Sequence, residues 1–129
     1  MFLPLSSGEL EPSNRLAKQV CLQLGRYISD PDFRFDLPVK LGGTQHQRAV
    51  WTQLRAIGSG QTLTYGEIAA RVGSSPRAVG QACGANPVPV VVPCHRVVAR
   101  WGVGGFAHHS DGFLLTVKRW LLQHERVQC

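Results

Sequence analysis

Apolar residues recur at helical or extended spacings along most of this chain. From Ser13 to about Ser29, Leu16, Val20, Leu24 and Ile28 return every fourth residue, flanked by Leu22 and Tyr27. That spacing predicts one helix face, with Ser13 or Asn14 as N-cap and Asp30-Pro31-Asp32 as the stop. Phe33, Phe35, Leu37 and Val39 then alternate with polar or rigid residues, which predicts a short extended segment ending at Gly42-Gly43. Thr44-Gln45-His46-Gln47 has the spacing of a capping box, and the helix it opens carries Val50, Trp51, Leu54 and Ile57 on one side before Gly58. A second box, Thr64 to Glu67, opens a short helix holding Ile68, Ala69 and Val72, closed by Gly73. Ser74 or Ser75 caps a third, with Pro76 in its first turn, which runs through Cys83 and fades at Gly84.

Two short helices separated by Gly73-Ser74 and preceded by a longer one match a helix-turn-helix layout. The second is rich in Ala and Gly, as if something must approach it closely. The apolar run Val88 to Val92, interrupted by Pro89, suits a buried extended segment. Val97 to Phe106 predicts a hairpin turning at Gly102 to Gly105, and Gly112 to Glu125 predicts a core helix bearing Leu114, Val117, Leu121 and Leu122. The fold class expected is mainly α with short strands, α+β, built around a winged helix-turn-helix-like module.

Composition narrows the classes. The 129 residues suffice for one compact domain, and 43% hydrophobic with 17% charged residues fits a folded globular chain. Fourteen Lys+Arg against eight Asp+Glu leave a net charge of +6, which favours a polyanionic partner such as nucleic acid. No apolar run reaches membrane-spanning length, and the N-terminus lacks a basic region followed by a long apolar core, so no membrane partner and an intracellular, cytoplasmic location are expected. Cys21, Cys83, Cys94 and Cys129 stand at irregular spacings without a C-x-x-C pair; free thiols and no metal site follow.

The candidate chemistry lies in Pro93-Cys94-His95-Arg96. A cysteine attacks as thiolate, and here a proton acceptor and a fixed positive charge follow it at once, while Val90-Val91-Val92 would bury the loop and raise the thiol pKa. The tetrapeptide alone suits a reactive thiol and a buried structural cysteine about equally; a redox-sensing thiol is a third option.

Asn86-Pro87-Val88 followed by Val92-Pro93-Cys94-His95-Arg96-Val97-Val98 resembles the active-site signature of the O6-alkylguanine-DNA alkyltransferases. The resemblance runs from about Thr44 to Glu125 and includes Val50-Trp51, Thr64 to Ala69, Arg77-Ala78-Val79-Gly80, Gly84, and Lys118 through Leu121-Leu122 to Glu125. It implies a direct-reversal DNA repair protein, active as a single-use methylated-DNA–protein-cysteine S-methyltransferase. Cys94 would take the alkyl group from O6-alkylguanine, with O4-alkylthymine a further candidate, and keep it as a thioether. His95 would act through a water as base, Glu125 would orient His95, and Asn86 would brace the turn. Arg77 would enter the base stack of double-stranded DNA and Tyr65 would help rotate the target nucleotide, while Ala78 and Gly80 would let the helix lie close in the minor groove. Lys118, Val97, Phe106 and Ala107 would line the substrate pocket. No cofactor is implied, and the protein would act as a monomer, with cooperative binding along DNA open.

Two departures from the family pattern stand out. Residues 1–42 would be a helix-and-linker remnant of the family's N-terminal α/β domain, leaving the apolar face of the first helix short of packing partners, and residues 43–129 the catalytic and DNA-binding domain. The stretch Ala107 to Phe113 is longer than the usual pocket loop. The alternative function is a non-catalytic binder of alkylated DNA that signals lesions to other repair pathways; in such relatives Trp replaces the cysteine, whereas Cys94 is present here.

Overall fold

A computed structural model describes residues 15–37, 41–104 and 112–127. The expected caps Ser13 and Asn14, and Val39, Phe106 and Ala107, lie outside those residues. The element order is α1 (Arg15–Ser29), α2 (Gln45–Arg55), β1 (Leu63–Thr64), α3 (Tyr65–Val72), α4 (Pro76–Gly84), a 3-10 turn (Cys94–Arg96), β2 (Val97–Val98) and α5 (Gly112–His124). By internal contacts the chain forms two units, residues 1–39 and 40–129.

In the first unit, α1 buries Gln23 and Tyr27 and leaves Leu16, Leu22 and Ile28 about half exposed. The Gln23 amide explains this choice of face, because it accepts from Asp36 N at 2.8 Å and donates to Asp36 O at 2.9 Å. Tyr27 packs on Phe35 at 5.7 Å between ring centroids, and Phe35 meets Phe33 edge-on at 5.6 Å. Residues 33–37 therefore follow the helix through aromatic and amide contacts and form no strand ladder.

The second unit holds the helix-turn-helix. Both capping boxes close as the spacing predicts. Thr44 Oγ1 accepts from Gln47 N, whose side chain accepts from Thr44 N, and Thr64 and Glu67 repeat the arrangement. Ser75 caps α4, and Pro76 occupies its first turn, where a missing N–H costs nothing. Gly73, at φ 66°, ends α3 in the left-handed conformation that glycine adopts without a Cβ clash. α3 and α4 pack on each other and on α2, burying Val50, Leu54, Ile68 and Val79 completely. Trp51 donates its indole N–H to Ala82 O at 2.8 Å, so the largest α2 side chain is both packed and satisfied.

Two expectations need correction. The run Val88 to Val92 is a tight turn, closed by Val92 N to Val88 O at 3.0 Å, because Val90 takes φ 76° and reverses the chain. The hairpin after Val97 turns earlier than the glycine cluster: Ala99 bridges Gly102, placing Arg100 and Trp101 at the tip. Before that tip, Val97–Val98 pairs in parallel with Leu63–Thr64, an alignment set by tertiary contact. The last helix forms about where the spacing places it, ending at His124 with Glu125 one residue beyond. No helix among the described residues is long and apolar enough to cross a membrane.

Candidate active site

The loop between α4 and β2 is built around Asn86. Its backbone N–H donates to Cys83 O, its Oδ1 accepts from Val88 N at 3.0 Å, and its Nδ2 donates to Val92 O at 2.8 Å. Val92 O also accepts from Cys94 N at 2.8 Å, so one side chain fixes both arms of the turn that presents the cysteine. The left-handed φ of Val90 is unfavourable for a β-branched residue, on the order of 1–3 kcal/mol, and this bracket sustains it. The Asn-Pro turn and the bracket that presents Cys94 are here the same structure.

The 3-10 turn then spreads three consecutive side chains. Cys94 and His95 point into the protein and are buried, while Arg96 reaches the end of α5. There His95 Nε2 meets Glu125 Oε2 at 2.8 Å, across 30 positions of sequence. Arg96 donates Nε to Glu125 Oε1 and Nη2 to Oε2, both at 2.9 Å, and Nη1 to Ile57 O at 2.6 Å. A carboxylate held by a bidentate guanidinium is an acceptor, which assigns the proton on Nε2 to His95 and leaves Nδ1 with its lone pair. His95 Nδ1 is buried and has no hydrogen-bond partner. It is the free proton acceptor of the site.

Burial governs the resting ionisation. It pushes the Cys94 thiol up, with the Asn86 hydrogen bond and the Lys118 charge opposing only in part. It lowers His95 despite the hydrogen bond and charge of Glu125. The site thus rests as neutral thiol and neutral imidazole rather than as an ion pair, and a reaction must remove the thiol proton as it proceeds. Lys118, fully buried on α5, is lowered to about 8 by burial, against the pull of Cys94 and Cys83. Its Nζ donates to Val97 O at 2.7 Å and sits 5.7 Å from the Tyr65 ring centroid.

The expected residues therefore separate into groups. Cys94, His95, Glu125 and Asn86 converge through α5 and the cysteine loop, and Lys118, Val97 and Tyr65 adjoin them. Arg77 lies exposed in the first turn of α4, one residue before the partly buried Ala78. Gly80, on the same helix, faces the Tyr65 ring: a Cβ there would meet Tyr65 Cε1 at 3.9 Å, an ordinary contact. Phe106 and Ala107 are not among the described residues. Lys118 and Glu125, of residue types usually exposed, are both buried, and sequence alone gives no sign of this. It missed the clamp of Arg96 on Glu125 and the role of Gly60, whose φ of 80° and close approach to Glu125 O (3.3 Å from a Cβ) fit the 58–61 loop against the end of α5. The pair of glycines around Ser59 was the available signal. Among the described residues, no group of three or more His, Cys, Asp or Glu could hold a metal.

The site is thus a buried cysteine–histidine–glutamate set carried on a helix-turn-helix module. Residues 45–127 match the family model for the 6-O-methylguanine DNA methyltransferase DNA-binding domain, and the chain belongs to that family. It is 48% identical over 91 residues to a methylated-DNA–protein-cysteine methyltransferase of Salmonella typhimurium, covering 69% of this chain and 51% of that protein. The chain spans about half the length of the curated relatives it matches. The crystal structure of Mycobacterium tuberculosis O6-methylguanine methyltransferase superposes with TM-score 0.76 at 38% identity, covering 85% of this chain and 66% of that one. The same organism's OGT in complex with DNA superposes with TM-score 0.71 at 35% identity, with equal coverage.

Proposed function

We propose that this chain repairs alkylated DNA by moving the alkyl group of a flipped O6-alkylguanine onto Cys94, once per molecule. The observation that carries the reading is the buried His95, tied to Glu125 through Nε2 at 2.8 Å and carrying an unpartnered Nδ1. In the reaction, Sγ attacks the alkyl carbon, the carbon–O6 bond breaks, and guanine leaves with the bonding pair. The thiol proton passes to His95 Nδ1 through a relaying water, and the imidazolium so formed is stabilised by Glu125. A proton returns to the departing guanine, for which Lys118, lowered to about 8, is suited at neutral pH. The products are a thioether on Cys94 and an intact guanine.

Reaching O6 requires extruding the nucleotide from the duplex. Arg77 at the exposed start of α4 supplies a side chain to fill the gap. The smallness of Gly80 has no internal explanation, since a methyl group would fit against Tyr65, and it matches close approach of the helix to a groove wall.

The test is intact-mass analysis after incubation with duplex DNA containing O6-methylguanine. One added methyl on Cys94, absent in Cys94→Ser, is the expected result. Saturable binding to the damaged duplex with no mass change would replace this reading with the non-catalytic one.

A further inference from the structure

The turn that follows β2 carries the most exposed large apolar side chain of the described residues. Trp101 is 90% exposed, beside an exposed Arg100, while the next most exposed is Leu22 at 51%. The tip is not slack: Ala99 bridges Gly102, and Gly102 N donates to Ala99 O at 3.3 Å. Its return strand is pinned at Gly104, where φ is 78° and a Cβ would meet Tyr65 Cε2 at 3.0 Å and Ala99 N at 3.1 Å. Gly80 of α4 lies against the Cδ1–Cε1 edge of the same ring. Tyr65 therefore ties the Arg100–Trp101 tip to the helix that the proposed function sets against DNA.

An exposed indole on a held turn, with an exposed arginine next to it and a chain of net charge +6, is complementary to an anionic polymer that displays flat π-faces. Within an intact duplex those faces are covered by neighbouring bases. They are free in single strands, at gaps and opposite a flipped nucleotide. Resting on the alkyltransferase reading, we propose that Arg100 and Trp101 form a second DNA contact, in which the indole stacks on an unpaired base and the guanidinium pairs with an adjoining phosphate. The contact would direct the protein toward lesions in or beside unpaired DNA.

Tryptophan emission during titration of the full chain with an undamaged single-stranded oligonucleotide tests this, with the matching duplex in parallel. The single strand should quench emission in the wild type, and Trp101→Phe should remove that quench while keeping most of the affinity. Trp101→Ala should weaken single-strand binding about tenfold, equivalent to about 1.4 kcal/mol, more than it weakens duplex binding, and leave the salt slope unchanged. Arg100→Ala should lower that slope by about 0.7. A quench that survives in Trp101→Phe, an affinity of Trp101→Ala within about twofold of wild type, or Trp101-dependent self-association without DNA would overturn the proposal. Methyl transfer from duplex O6-methylguanine to the wild-type protein, read by mass, scores the alkyltransferase reading separately. Label without a Trp101 signal refutes only the tip contact, and a Trp101 signal without label refutes the alkyltransferase reading.

Discussion

Replacing Glu125 by Gln changes few atoms and should nearly abolish alkyl transfer. The glutamate oxygens accept three hydrogen bonds, two from Arg96 at 2.9 Å and one from His95 at 2.8 Å, in a fully buried setting. Glutamine can keep one acceptor for Arg96 Nε, but its NH2 then faces both Arg96 Nη2 and His95 Nε2. His95 relieves the conflict by moving its proton to Nδ1, which removes the lone pair the thiol needs. A base held in the wrong tautomer costs on the order of 10⁴ in rate in the serine-protease triad, and a loss of about 10³–10⁴ is expected here. Stability should fall by about 1–3 kcal/mol, the cost of one unsatisfied buried, charge-assisted bond. Glu125→Ala would instead strand the guanidinium, at about 3–5 kcal/mol, and confuse unfolding with lost chemistry. The assay follows the fraction of protein methylated against time by mass, with excess damaged duplex, beside urea unfolding of the same samples. The residual rate in Glu125→Gln should also climb more steeply with pH, because solvent base must replace His95. A folded variant reacting within about threefold of wild type, with the same pH profile, would refute the tautomer argument.

Two further outcomes follow from the same physics. Moving Lys118 from 10.5 to about 8 means that its buried charge opposes folding by about 3 kcal/mol at neutral pH. The unfolded chain holds that proton up to higher pH, so the contribution of Lys118 to stability rises between about 8 and 10.5, while Cys83, raised to about 12, and Cys94 oppose it above about 9. Lys118→Met also loses the bond to Val97 O, worth about 1 kcal/mol, so it should unfold at higher urea at neutral pH by about 1–2 kcal/mol, lose this advantage toward pH 10, and transfer alkyl groups poorly. An equal difference at both pH values would refute the burial argument. Gly80→Ala should stabilise α4 by roughly 0.5–1 kcal/mol, since the methyl meets Tyr65 without strain, yet weaken duplex binding about tenfold; fluorescence anisotropy beside thermal melting separates the two effects.

The parts of this fold that sequence discloses are those where cause and effect lie within a few residues. Thr44 with Gln47 and Thr64 with Glu67 place two helix starts correctly because each box is closed by its own two side chains. Cys94 and His95 are adjacent, so their reactivity could be suspected, but the Glu125 partnership rests on the packing of α5 and entered only through family resemblance. Misreadings occurred where a distant contact overrode a local preference. Gln23 is buried on α1 because Asp36 presents a backbone N–H and C=O to its amide. The glycines after Trp101 attracted the predicted turn, yet Gly104 serves to admit Tyr65, and the chain reverses earlier through non-glycine residues. Val90 shows the same override within the active loop. No propensity favours valine at φ 76°; the Asn86 bracket and the burial of its side chain impose it.

Under the proposed single-use transfer, a nucleophile kept protonated at rest follows from its being consumed. A thiolate poised at all times would react with any small electrophile, and each such event would remove one protein molecule from use. Burial keeps Cys94 in the thiol form, and Cys83 nearby, raised to about 12, shows what burial does when no base adjoins. The two thiols share the neighbouring Lys118, so that charge does not choose between them. The Asn86 hydrogen bond does, because it acts on the Cys94 thiol and not on that of Cys83. In the proposed reaction the proton therefore leaves Cys94 only as the alkyl carbon is attacked, through the water that relays it to Nδ1. Selectivity for the right electrophile is, on this argument, a property of the resting ionisation as much as of the shape of the pocket.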